Sequence, residues 1–224
     1  GITLFTSSAP TELTNSIQSI KEHGFGETAG NFASFTFSFF NVVRDIWHEK
    51  RHFILLDVSG EVTDLSIVKD GKLIETSSFP CGVNTIVRLI ASRLNLQIGE
   101  SESLLNAYHN HHLSSSLRAR VSLALHDVQK QWLSFFSKEL EEISPQILLP
   151  RDVFLTVDEP YTALFKGFIE SEKLHSTTPT GKLFSVVTLN ETTLAPHCVF
   201  NNGIFKDPFL AIESIFLNRK IHMV

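Results

Sequence analysis

The sequence predicts a mixed α/β fold, and three observations carry the prediction. HFILLDV, TDLSIV and LIETSSF, between residues 52 and 79, are apolar runs separated by SGEV and KDGK. Asp70-Gly71 in the second connection is a two-residue hairpin signal, so the three runs read as an antiparallel three-strand meander. Two further short apolar runs, VFLTV at 153–157 and LFSVVTL at 183–189, alternate with helical patterns, as parallel strands joined by crossover helices do. Finally, the stretch from Glu100 to Ser144 is helical throughout, broken by the polar loop HNHHLSSS at 109–116. The expected architecture is a mixed sheet with helices on both faces and a helical insertion at about 99–144.

In chain order, ITLFTSSA at 2–9 reads as a strand ended by Pro10. PTELTNSIQSIKEHGF places Leu13, Ile17, Ile20 and Phe25 at helical spacing, with Gly24 as a stop signal. FASFTFSFFNVVRDIW at 32–47 is too long for one strand and has no internal turn, so it reads as a buried helix. After the meander, Pro80 opens a helix through about Asn95, with Val83, Ile86, Val87, Ile90 and Leu94 on one side, and Gly99 breaks it. Leu117, Val121, Leu125, Val128, Trp132, Phe135 and Leu140 give the insertion's second helix a continuous apolar stripe. DEPYTALFKGFIES at 158–171 is a helix with Pro160 in its first turn, HSTTPTG at 175–181 is a loop, and DPFLAIESIFLNR at 207–219 is a closing helix.

Composition narrows the function. At 42% hydrophobic and 19% charged, the 224 residues are those of a globular chain able to bury a sizeable core. A net charge of -5 without a basic block argues against nucleic-acid binding. The longest apolar stretches, such as FILL at 53–56, fall far short of the roughly 20 residues that span a bilayer, so the expected location is cytoplasmic. Cys81 and Cys198 have no metal-ligand spacing around them and read as free thiols. His109, His111 and His112 lie on a polar loop with no ligating Cys or carboxylate nearby, which fits a solvated connection better than a metal site. No Ser-His-Asp, Cys-His or paired-carboxylate arrangement is present, so no catalytic residue is assigned.

FILLDVSGEVTDLSIVKDGKLIETSSFPCG resembles the second phosphate loop of the actin-like ATPases, whose pattern runs D-[IV]-G-G-G-T-T-D before a strand and hairpin. LQIGESESLLNAYHNHH resembles the stretch after their first domain-II helix, LPRDVFLTVDEPYTALFKGFIES their adenosine strand-loop-helix, and FKDPFLAIESIFLNR their closing helix. Within the superfamily the pattern is most similar to the pilus-assembly (PilM) and cell-division (FtsA) types. The resemblance implies an actin-like, ribonuclease-H-like half-domain. Residues 1–50 would be the tail of domain I, and 51–224 domain II, with the closing helix 207–219 packing back toward domain I. No first phosphate loop of the form D-[IV]-G-[TS]-x-[ST] precedes ITLF, so the expectation is the C-terminal portion of a longer protein.

Carried over by residue, Asp57 matches the magnesium-holding Asp. Ser59, Gly60 and Glu61 match the three glycines, Val62 and Thr63 the threonines, and Asp64 the closing Asp. Val157 and Asp158 stand at the Gly-Gly of the adenosine loop, followed by Glu159. Glycine loss matters because a phosphate nest needs close backbone approach and positive φ. A Glu61 carboxylate about 4 Å from a phosphate would repel it by roughly 4 kcal/mol, on the order of a thousandfold in affinity. The resemblance with these departures implies a scaffold whose ATP and magnesium binding is weak or lost. It would act through a protein partner, either the tail of an inner-membrane pilus protein or a division filament, with self-association as a further mode and membrane contact only indirect. The alternative is a working magnesium-dependent ATP switch, in which case the chain would be a slow ATPase. As a membrane anchor the closing helix would use Phe209, Ile212, Ile215 and Phe216, the face that packing in the fold also needs.

Overall fold

A computed structural model describes residues 5–25, 32–143, 148–171, 183–200 and 206–221. The helices and strands, in chain order, are α1 (Thr11–Phe25), α2 (Phe35–Ile46), β1 (Phe53–Val58), β2 (Thr63–Lys69), β3 (Lys72–Phe79), α3 (Val83–Leu94), α4 (Ile98–His109), α5 (Ser115–Ile143), β4 (Asp152–Val157), α6 (Glu159–Ile169), β5 (Ser185–Thr188), α7 (Glu191–Leu194) and α8 (Pro208–Ile221).

The strands form one sheet in the order β3-β2-β1-β4-β5. β1, β2 and β3 pair antiparallel, whereas β4 joins β1 and β5 joins β4 in parallel. The β2–β3 turn uses Asp70 at φ 52° and Gly71 at φ 71°, both left-handed, as the Asp-Gly signal requires. Because side chains alternate along a strand, β1 sends Ile54, Leu56 and Val58 to one face and Phe53 and Leu55 to the other.

On the first face α3, α4, α5 and α6 build a core around Trp132, which is fully buried among Phe79, Phe136, Phe165 and Phe168. Val121, Leu125, Val128, Trp132, Phe136 and Leu140 lay one stripe of α5 onto this core, so the helical insertion is part of the domain's interior. The second face is covered by α2, α7 and α8. Phe39, Val42 and Val43 of α2 pack with Ile212, Ile215 and Phe216 of α8 against Phe53, Leu55 and Phe154. The apolar face of α8 is thus spent on the core, as packing rather than an anchor demands, and no described helix is long and apolar enough to cross a membrane.

Several local expectations change. Residues 5–9 form no strand, and Phe5 instead stacks its ring on Phe37 at 5.1 Å. The rest of that predicted run, the loop at 175–181 and the polar link that the sequence places at Asn201-Asn202-Gly203 before the closing helix lie outside the described residues. α1 forms as its spacing predicts, but Leu13, Ile17 and Ile20 remain exposed rather than buried. α3 begins at Val83, not at Pro80, because Cys81 is held in the connection by its N–H to Phe79 O and by Thr63 Oγ1 donating to its carbonyl. Asn95, left-handed at φ 57°, ends α3. Gly99 sits inside the first turn of α4, where Glu100 accepts from the Gln97 N–H and so starts a helix. The short α7, capped by Asn190 Oδ1 accepting from the Thr193 N–H, is an addition that the spacing did not predict.

Candidate functional site

The site residues gather at the C-terminal ends of β1 and β4. The β1–β2 register sets Asp64 directly opposite Asp57, and the β1–β4 register sets Thr156 beside it. The three side chains share the α2/α8 face, two residues on from Leu55 and Phe154 along their strands. Asp57 Oδ1 and the buried Thr156 Oγ1 have no hydrogen-bond partner among the described residues. Burial first, and Asp64 second, push the Asp57 carboxyl up to about 7, and burial raises Asp64 as well. Asp158, at the N-terminus of α6, is raised by burial and then by Asp207. Asp207 in turn caps α8, its Oδ1 accepting from Phe209 N at 2.8 Å and Leu210 N at 3.2 Å.

The β1–β2 connection is folded back onto α3. Ser59 O and Gly60 O accept from the N–H groups of Val83 and Asn84 at 2.9 and 2.8 Å. Ser59 closes the turn through its N–H and hydroxyl, both donating to Val62 O at 3.0 Å. None of residues 59–62 has positive φ, so the turn lacks the left-handed residue that curls successive amides around an anion. Glycine is required here for close approach. A Cβ on Gly82 would meet Ser59 O at 2.3 Å, and one on Gly60 would meet Asn84 Nδ2 at 2.9 Å.

Glu61 points away from the strand ends. Arg88 donates to its two carboxylate oxygens at 3.1 and 2.7 Å, Asn84 Nδ2 donates at 3.0 Å, and the carboxyl falls to about 2. The repulsion expected of Glu61 assumed a bare carboxylate beside the phosphate. The structure instead turns it toward α3 and pairs it with the Arg88 guanidinium. Thr63 also departs from expectation, because its fully buried hydroxyl lies on the opposite face, donating to Cys81 O at 2.8 Å and accepting from Trp132 Nε1 at 3.4 Å. Val157 is core on that same face, and Asp158 and Glu159 are exposed. Of the predicted residues, Asp57 and Asp64 therefore face one another, Asp158 lies just past the end of β4 at the start of α6, and Glu61, Thr63 and Val157 are directed elsewhere.

The sequence reading missed Thr156, Asn84, Arg88, Gly82 and Asp207. Thr156 was legible as the residue before Val157 in the strand-loop-helix. The other four act through contacts that no local pattern announces. Among the described residues no group of three or more His, Cys, Asp or Glu is placed to hold a metal, and His109, His111 and His112 do not form one. Asp57, Asp64 and Thr156 are all oxygen donors. That set suits magnesium carried largely by water and phosphate on one or two carboxylates, and not a cage made by the protein alone.

The sheet order and its two helical layers define the actin-like half-domain fold. Among solved structures, the PilM–PilN type IV pilus biogenesis complex aligns with a TM-score of 0.61 at 16% identity, covering 93% of this chain and 57% of that one. Ethanolamine utilization protein EutJ from Carboxydothermus hydrogenoformans aligns at 0.46 with 19% identity over 66% of this chain and 48% of that one. (R)-2-hydroxyglutaryl-CoA dehydratase component A of Acidaminococcus fermentans aligns at 0.45 with 15% identity, over 90% and 73%. The chain thus spans about half the length of the first two structures. No protein-family model and no curated protein matches the sequence.

Proposed function

We propose that this chain is domain II, with residues 1–50 as the tail of domain I, of a cytoplasmic actin-like scaffold of the PilM/FtsA type. Its nucleotide site is degenerate, and it works in pilus assembly or cell division by binding a protein partner at the inner face of the membrane. The observation that carries this reading is the state of the β1–β2 turn. Its carbonyls cap α3, it has no left-handed residue, the threonine hydroxyl that should face a phosphate is committed to Cys81, and Glu61 is clamped by Arg88 and Asn84. A triphosphate would have to rebuild this turn in order to be cradled by it. The likeness to one chain of a PilM–PilN complex supports a protein partner. The test is calorimetric titration of magnesium-ATP into the protein and into the Glu61→Gly/Asp158→Gly double variant. The unmodified chain gives no saturable heat, and the variant, with a left-handed turn now accessible and an acid removed from the rim, recovers binding. Micromolar binding by the unmodified chain overturns the reading.

One observation favours a working ATP switch instead. Asp57 carries an unpartnered, buried carboxylate oxygen beside the unpartnered Thr156 hydroxyl, an arrangement that a magnesium ion would satisfy. Bound there, the ion would neutralise phosphate charge, with Asp57 holding it through water and Asp64 adding negative charge alongside. On this reading the same titration gives micromolar binding that Asp57→Asn abolishes.

A further inference from the structure

The two ends of the sheet carry opposite charge. Asp57, Asp64 and Asp158 stand where β1 and β4 finish, whereas Arg51, Lys69, Lys72 and Arg151, all exposed, stand at the end where those strands begin. The four cations come from positions up to one hundred residues apart, so no basic block in the sequence announces them.

Strand register sets them in a row. Lys69 of β2 stands directly opposite Lys72 of β3, and the β1–β4 ladder, which pairs Ile54 with Val153, sets Arg151 beside His52 when carried back two residues. Arg51 is fixed to the β2–β3 turn, since its carbonyl accepts from the Gly71 N–H at 2.9 Å and its Nη2 donates to Asp70 O at 3.4 Å. With neighbouring strands about 4.8 Å apart, the row runs on the order of 14 Å from Lys72 to Arg151. The carboxylates at this end are Glu49, Asp70, Asp152 and Glu170. Each has its own neighbour, namely His48 at 3.9 Å, His52 at 3.7 Å, Lys50 at 2.7 Å and the Val186 N–H at 3.1 Å. Among the described residues no carboxylate lies within ion-pair distance of Arg51, Lys69, Lys72 or Arg151. Like charges directly opposite in a ladder destabilise it, so the Lys69–Lys72 pair is an arrangement that an anion from outside would relieve.

We propose that this row docks an extended, acidic segment of a protein partner. An extended chain advances about 3.3 Å per residue, so about four or five residues span the row. A bilayer of anionic headgroups presents a plane and not a line, and would press against Glu49, Asp70 and Asp152 as well as the cations. The acids at the far end of the sheet repel the same segment and so orient it. The inference rests on the scaffold reading for the existence of a protein partner, and adds that partner's chemistry and its place. Titration with magnesium-ATP does not probe this surface, so each reading can fail alone.

The probe is a fluorescein-labelled hexaglutamate peptide, with hexaglutamine as its control, titrated into the whole chain by fluorescence anisotropy at low ionic strength. Hexaglutamate saturates one site, and hexaglutamine binds at least about fivefold more weakly. Lys69→Glu turns the opposed lysines into a complementary pair, so it weakens hexaglutamate binding by about fivefold or more while the melting temperature holds or rises. Lys130→Glu, the same change of charge on the exposed side of α5, alters binding by less than about twofold. Vesicles of phosphatidylserine and phosphatidylcholine do not sediment the protein. Absence of saturable binding, equal weakening by Lys69→Glu and Lys130→Glu, sedimentation with the vesicles, or self-association of the free protein that Lys69→Glu abolishes each overturns the proposal.

Discussion

The two faces of the sheet are made by the same strands yet treat polar groups in opposite ways. On the α3–α6 face, the buried Thr63 hydroxyl donates to Cys81 O, Trp132 Nε1 donates to Thr63 Oγ1, and Ser101 Oγ donates to Val87 O. On the α2/α8 face, Asp57 Oδ1 and Thr156 Oγ1 are left unpartnered at the strand ends, among the described residues. An unsatisfied buried polar group costs about 1–3 kcal/mol, and more when it is charged. One face of a strand therefore stabilises the domain while the other, one residue away, carries a liability that only a ligand or a proton relieves. Satisfied and unsatisfied polar groups are separated by the two-residue period of the strand.

The largest expected effect breaks the dry face. Trp132→Ala removes the residue around which Phe79, Phe136, Phe165 and Phe168 pack and leaves the Thr63 hydroxyl without its donor. Urea unfolding should show a loss of about 3–5 kcal/mol. If the loss were below about 1 kcal/mol, α5 would be a peripheral lobe and not part of the core.

The next effect is on the polar face and has the opposite sign. Asp57 rises from 3.8 to about 7 on folding, so the folded state holds a proton that the unfolded state releases. That contribution to stability is fully present below about pH 4 and is lost as pH rises toward 7. Asp57→Asn removes the ionisation and should raise stability at pH 8 by on the order of 2–4 kcal/mol, with little gain at pH 4. Urea unfolding across that range checks the prediction, and an equal gain at both pH values would show that the carboxylate is not desolvated.

The smallest effect concerns the exposed clamp between the turn and α3. Arg88→Ala leaves urea stability unchanged, because an ion pair in water contributes little. Instead it releases Glu61, whose carboxyl should move from about 2 back toward 4.5 in a carbon-detected NMR titration. An unmoved carboxyl would mean that Asn84 alone sets the orientation of Glu61.

Much of the fold was legible because its signals are local. Asp70-Gly71 specifies a tight turn through its own φ preferences, and the alternation of Phe53, Leu55 and Asp57 with Ile54, Leu56 and Val58 specifies which residues share a face. The stripe along α5 identified its buried side by the same kind of periodicity. The start of α3 was misread at Pro80, since the capping of Val83 and Asn84 comes from Ser59 and Gly60, which are more than twenty residues earlier in the chain. The exposure of Leu13, Ile17 and Ile20 was equally invisible, because helical spacing reports that a face is apolar and not what covers it.

The candidate site divides in the same way. Asp57, Asp64 and Asp158 could be named only through the resemblance to the phosphate and adenosine loops of the actin-like ATPases, onto which the linear order of residues around each turn can be laid. The direction of the Glu61 carboxylate could not, since it depends on Arg88, 27 positions away, arriving within 2.7 Å. Nor could the isolation of Asp57 and Thr156, which follows from β4 pairing with β1 across nearly one hundred residues of intervening chain. What the sequence by itself determined was the succession of strands and helices and the chemical inventory at their ends, because propensity and periodicity act within a few residues. Which of those groups are paired, buried or left unsatisfied was decided only by the tertiary structure, because hydrogen bonds and desolvation depend on distance in space and not on distance along the chain.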